Sequence, residues 1–375
     1  MKKLAVFLLL TVCCDRPTPP VTSPQPPPQA GPPGAATAQE APSEPAPEDP
    51  EKPPGSRPSS PADERGLDLG LKEFAGSKVE KLETFWPGGN KRRIAWTELD
   101  RDSRRLDHGP DWRWLANGQL ELKRTWKHGK QDGPFEEWHE GGFQKAKGAF
   151  AEDEKDGPWT TWFAGGEAQS QRTWRRGKLD GRALEWFEIG TRKSETWWKD
   201  GVQDGPMLNW QPSGTKSLEG SFAGGKRFGE WREWYGDGRE MYHGYFADNK
   251  ETGTWTRLDP QNKREEENYV EGALDGQRRV WAPDGTLIEE GHYKEGKAEG
   301  LQRAWWPSGK LLSEIEYKAA KPNGKARYLY ESGVVQMEGE LKDGKKQGDW
   351  IYRKEDGTID PQWSGRYQDD KKVGP

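Results

Sequence analysis

Asp156-Gly157-Pro158-Trp159-Thr160-Thr161-Trp162 opens a unit that continues through Gly166 and Trp174 to Gly177-Lys178, and the same pattern restarts at Asp180-Gly181. Taking Gly157 as position zero, the glycine recurs at Gly109, Gly133, Gly157, Gly181, Gly205, Gly229, Gly253, Gly276, Gly300, Gly324 and Gly348, at a period of 24 residues broken once by a unit of 23. Position +9 is again glycine in every unit except one, where Asn262 stands, the residue that best tolerates a left-handed backbone after glycine. Position +5 is Trp114, Trp138, Trp162, Trp186, Trp210, Trp234, Trp281 and Trp305, with Leu258 and Leu329 in two of the gaps. Position +17 is aromatic from Trp126 to Tyr317, Tyr269 joining once the 23-residue unit is allowed for. A fixed period of this length is the signature of a repeat architecture.

The glycines read as turn positions. Trp306-Pro307-Ser308-Gly309-Lys310 and Ala282-Pro283-Asp284-Gly285-Thr286 have the form of a type I turn closed by a glycine bulge, which makes +9 a hairpin tip. A second turn, as in Gly201-Val202-Gln203-Asp204-Gly205, reconnects to the next unit. The six to eight residues between turns are rich in Trp, Phe, Tyr and Thr with interleaved charges, as in strands with one packed and one wet face. The expected fold is all-β: an elongated array of about eleven antiparallel β-hairpin repeats, roughly 22 strands, forming one twisted sheet on the order of 100 Å long. With the connecting turn centred near +21 or +22, the +17 ring would lie opposite position +2 of the next unit, where Phe135, Trp159, Trp231, Trp255 and Trp350 occur. Positions +2 and +5 differ by an odd number, so either the strand bulges between them or both faces of the sheet carry aromatics.

Composition alone does not decide between a folded array and a disordered chain. Only 31% of the 375 residues are hydrophobic and 32% are charged, with mean hydropathy −1.15, which by itself describes a disordered chain. Against that stand 21 Trp, each able to bury a large apolar area. If each hairpin needs only its neighbours, stability adds along the array and no large central core is required. The net charge of −5 disfavours nucleic acid, whose binding draws on a basic excess. Both cysteines, Cys13 and Cys14, are N-terminal, so the repeats hold no disulfide, no Cys-ligated metal and no thiol nucleophile.

The N-terminus reads as an address. Met1-Lys2-Lys3 and the apolar run Leu4 to Val12 form a basic and a hydrophobic region too short to span a bilayer. Leu10-Thr11-Val12-Cys13-Cys14 resembles a bacterial lipobox, with Cys13 as the lipid-attachment residue and Cys14 as the alternative. The organisation expected is a lipoprotein signal peptide over 1–13, a disordered Pro-rich tether over 14–62, a divergent N-terminal hairpin or cap over 63–104, and hairpin repeats over 105–375. The tether holds most of the chain's 29 prolines and no aromatic residue.

The repeat resembles the variant MORN repeat of bacterial proteins, found also in YwqK-like antitoxins, whose units read D-G-x-W-x-x-[WY]-x-x-x-G followed by an aromatic and N-G-K. Asp156 to Trp162, with Gly166, Trp174 and Gly177-Lys178, carries that likeness over about 105–375. The resemblance implies hairpins joined into an elongated sheet and a role in protein interaction, with no cofactor.

Nothing in the sequence suggests catalysis. There is no Ser/His/Asp constellation, P-loop, dinucleotide fingerprint or His-Glu metalloprotease motif, and the chain is expected to be non-enzymatic. The five histidines, His108, His128, His139, His243 and His292, share no repeat position, so no metal site is expected. Asp132, Asp156, Asp180, Asp204 and Asp275 precede the zero glycine and read as turn chemistry. Lys263-Arg264-Glu265-Glu266-Glu267 and Glu136-Glu137 read as solvated faces. In the adjacent pairs Trp197-Trp198 and Trp305-Trp306, one ring of each is expected to be exposed as an interaction anchor. The function expected is a lipid-anchored scaffold of the bacterial envelope, at the outer membrane or periplasmic face, that binds a protein partner. A carbohydrate or peptidoglycan binder and an antitoxin or immunity-type neutraliser are the alternatives.

Overall fold

The computed structural model describes residues 52–53 and 79–375, all within one unit spanning 45–375. Cys13, Cys14 and nearly all of the Pro-rich segment lie outside the described residues. The fold is all-β, with 27 antiparallel strands in one unclosed sheet and no helix among the described residues. Strands pair with their neighbours along the chain, except that Glu154–Lys155 and Gly157–Trp162, and likewise Lys297–Ala298 and Gly300–Trp305, share the preceding strand as partner, so the described residues form a continuous meander from Val79–Phe85 to Lys371–Gly374.

The strand count exceeds the twenty-two expected for identifiable reasons. Val79–Phe85 and Lys91–Leu99 form a complete hairpin ahead of the first zero glycine. Lys371–Gly374 adds one strand after the eleventh hairpin. Two long strands are also interrupted, one between Lys155 and Gly157 and the other between Ala298 and Gly300.

All the hairpin tips share one hydrogen-bond pattern. In the unit beginning at Gly157, Gly166 N–H donates to Phe163 O and Phe163 N–H to Glu167 O, and the pair recurs from Trp86–Asn90 through Lys354–Thr358. The divergent tip follows the same rule: Asn262, at φ 68°, donates to Asp259 O in the place of a glycine.

The connecting turns differ from expectation. They are two-residue turns at +19 and +20, not centred near +21 or +22, and both residues have positive φ: His128-Gly129, Asp200-Gly201 and Ala319-Ala320 are examples. This is the type I′ geometry, whose twist matches that of the strands it joins. The zero glycine, four residues beyond, is therefore not part of the turn. Gly205, at φ 124°, lies inside the strand Val202–Trp210, where Thr196 pairs with Met207 and Trp198 with Gln203, so Asp204-Gly205-Pro206 bulges opposite Trp197. Such a bulge recurs once per repeat.

Relocating the turn changes the pairing. Trp126 at +17 lies opposite Gln131, not opposite Phe135, whose partner is Arg124 at +15. The +17 and +2 rings still meet diagonally: Phe150 and Trp159 are 5.1 Å apart edge to face, Phe222 and Trp231 5.2 Å, and Phe246 and Trp255 5.0 Å.

Both faces of the sheet are aromatic. One core group contains +5 residues, such as Trp114 and Trp138 with Leu120, or Trp162 and Trp186 with Ala168 and Leu184. Another contains +2 and +17 residues, as with Trp231, Phe246 and Trp255, and in the last unit Trp350 with Tyr367, which stands opposite Gly348. The odd offset between +2 and +5 sends the two ladders to opposite faces. This is how a chain with few hydrophobic residues folds: a thin sheet has two faces, and each is covered by rings from adjacent hairpins.

Candidate functional site

The position that docks one hairpin on the next pairs +15 of one unit with +2 of the following unit, and its occupants match in size. Gly148, Gly220, Gly244 and Gly339 face Trp159, Trp231, Trp255 and Trp350, whose rings fill the space a Cβ would need. Elsewhere the pair is Thr196 with Met207, or Ile315 with Ala326. Four of these pairs hold a charged residue, Arg124 facing Phe135 and Arg172 facing Ala183 among them. Glu267 faces Arg278 and also takes Arg257, and it is buried, so the expectation of a solvated face fails there. At the N-terminal end Ala95 faces Asp111, whose side chain is only 1% exposed.

Asp111 is held by cations and an indole. Arg93 Nε donates to Oδ1 at 2.7 Å, Arg124 Nε to Oδ2 at 2.9 Å, and Trp126 Nε1 to Oδ2 at 3.3 Å. Burial pushes its carboxyl up, but Arg93 and Arg124 outweigh that and hold it below the ordinary range. The two arginines respond differently. Arg93 is desolvated yet held more firmly protonated by Asp111, whereas Arg124, desolvated and crowded by Arg113 and Arg93, is shifted down.

The +5 ladder changes character along the array. Trp114, Trp138, Trp162 and Trp186 are buried, whereas Trp210, Trp234, Trp281 and Trp305 are half-buried. The cross-strand partner at +11 does not account for the change, because Arg192 faces the buried Trp186 whereas Leu287 and Leu311 face the half-buried Trp281 and Trp305. Arg192 lies 5.7 Å from the Trp210 ring centre and Arg264 4.1 Å from that of Trp281, so two of the half-buried indoles carry a guanidinium. Partly accessible Trp and Arg in one strip are the side chains that most often dominate protein-docking surfaces.

The adjacent tryptophans do not divide into one buried and one exposed ring. Trp197, Trp198, Trp305 and Trp306 are all half-buried. Trp197 packs at the Gly205 bulge, Trp198 Nε1 donates to Thr196 Oγ1 at 2.8 Å, and Trp306 Nε1 donates to Leu329 O of the next unit at 3.3 Å.

The carboxylates before the zero glycine bind their own connecting turn. Asp156 Oδ1 accepts from Arg176 N–H at 3.1 Å, Asp275 Oδ2 from Glu295 N–H at 3.3 Å, and Glu299 Oε2 from Ala319 N–H at 2.8 Å. In the first unit the same place is taken by His108, whose Nδ1 accepts from His128 N–H at 3.4 Å. The expectation that the histidines stay apart is thereby corrected: positions −1 and +19 differ in sequence but meet in space. Glu98 joins them, with its carboxylate 3.0 Å from His108 Nδ1 and 2.5 Å from His128 Nδ1.

Compared with known protein families, residues 274–295 and 298–319 match the MORN repeat variant. The two segments are consecutive units of the array, and units outside them share the same tip and turn geometry. No curated protein matches the chain. No helix among the described residues is long and apolar enough to cross a membrane.

Proposed function

We propose that this protein is a non-enzymatic, lipid-anchored scaffold of the bacterial envelope that docks a protein partner on the +5 face of its repeat array. The observation that carries the reading is the strip from Trp210 to Trp305, whose indoles are half-buried and include two that lie against a guanidinium, Trp210 by Arg192 and Trp281 by Arg264. A repeat array suits docking because a long surface is presented at low cost in core residues. The basic and apolar N-terminus ending at Cys13-Cys14 supports export and lipid attachment, and the Pro-rich segment supports a spacer between membrane and array.

Affinity capture from solubilised envelopes tests the reading. Wild-type protein should recover a stoichiometric partner that a Trp210→Ser, Trp234→Ser double variant does not. Retention on cell-wall polysaccharide without protein would contradict it, as would equal recovery by the variant. A fatty-acid probe should label the wild type and not a Cys13→Ser, Cys14→Ser double variant.

A further inference from the structure

In six units the −1 side chain accepts from the N–H of the +19 turn residue, but only the first unit places histidine at both positions. There the preceding hairpin adds Glu98 from the strand Lys91–Leu99. We propose that Glu98, His108 and His128 bind one divalent transition-metal ion of the zinc class. One ligand atom from each residue lies within 4.8 Å of the other two, the one such group among the described residues. Tetrahedral zinc, with bonds of about 2.0–2.1 Å, needs ligand atoms roughly 3.3 Å apart, so only a small adjustment is required. The His128 side chain can make it, because it is 64% exposed on a turn, while His108 at 6% and Glu98 at 11% supply a fixed, largely buried pair.

The ligand chemistry selects the ion. Two imidazole nitrogens with one carboxylate oxygen suit zinc, nickel or copper, whereas calcium and magnesium call for oxygen donors throughout. The metal takes neutral imidazole and ionised carboxylate, so binding releases any proton shared between them. Three protein ligands leave a tetrahedral position open to water or to a donor from a docked molecule. The site also joins three consecutive segments, the strand Lys91–Leu99, the strand Arg105–Trp114 and the turn after Leu120–Lys127, so a bound ion would fasten the first two hairpins together.

Calorimetric titration of the full chain with Zn²⁺ alone at pH 7.5 tests this. One ion per chain should bind to the wild type. Binding should weaken at least about tenfold in His128→Asn and in Glu98→Gln, and stay unchanged in His243→Asn, whose histidine pairs with Glu230 elsewhere. Asn is favoured in a left-handed turn, so His128→Asn keeps the backbone at φ 51° and a wild-type far-UV circular dichroism spectrum. Absence of saturable Zn²⁺ binding to the wild type would overturn the proposal, as would His128→Asn binding as tightly as the wild type.

Discussion

The fused edge of the Trp231 indole occupies the space that a side chain at Gly220 would need, since a Cβ there would lie 2.3 Å from Trp231 Cδ2. Trp231 is 3% exposed and part of a continuous ring stack, so it has nowhere to retreat. Gly220→Ala should therefore destabilise the protein by about 1–3 kcal/mol, the usual cost of overpacking a filled core. Gly291→Ala is the contrast. The atom in the way there is Oε1 of the flexible Gln302, and the change should stay within about 0.5 kcal/mol of neutral. Urea unfolding followed by tryptophan fluorescence distinguishes the two.

Asp111→Asn leaves Arg93 and Arg124 facing a neutral group in a buried position and should cost about 3 kcal/mol. The sign of the pH dependence follows from the direction of the shift. The folded-state pKa of Asp111 is depressed, so its contribution is complete above the unfolded-state value of about 3.9 and is lost as pH falls through the lower folded value. Acid titration of the wild type should loosen the first repeats in that window. The Asn variant should lack that transition, and hydrogen exchange of the Lys91–Leu99 and Arg105–Trp114 strands reports it.

Ala319 and Ala320 adopt φ 50° and 67° without the side chains that favour this conformation. Replacing them with Asn-Gly supplies the preferred type I′ pair and should stabilise the protein by about 0.5–1 kcal/mol. A higher urea midpoint with an unchanged slope is the expected reading.

The period, the tips and the strands were legible in the sequence because glycine and tryptophan recur at fixed positions. The connecting turn was misplaced because two Asp-Gly pairs, Asp200-Gly201 and Asp204-Gly205, stand four residues apart, and Asp-Gly suits a type I′ turn as well as a bulge. Only the hydrogen-bonded register tells them apart, and turns such as Ala319-Ala320 or Asp248-Asn249 lack the glycine that would have marked the right position. That one displacement hid the rest. Without knowing that +19 meets −1, the proximity of His128 and His108 is invisible. Without knowing that +15 faces +2, the matching of Gly220 to Trp231 and of Glu267 to Arg278 reads as scattered variation.

The central claim, that each hairpin is specified by the fit to its immediate neighbour, is tested most directly by two internal deletions of one 24-residue period. Removing 229–252 joins Gly220 to Trp255 and keeps a small residue opposite an indole; removing 205–228 has the same length but sets Thr196 against Trp231. Urea unfolding of the first should give one cooperative transition near the parent midpoint, and the second should be weaker than the first by about 1–3 kcal/mol. Equal stability of the two, or the reverse order, would contradict the account.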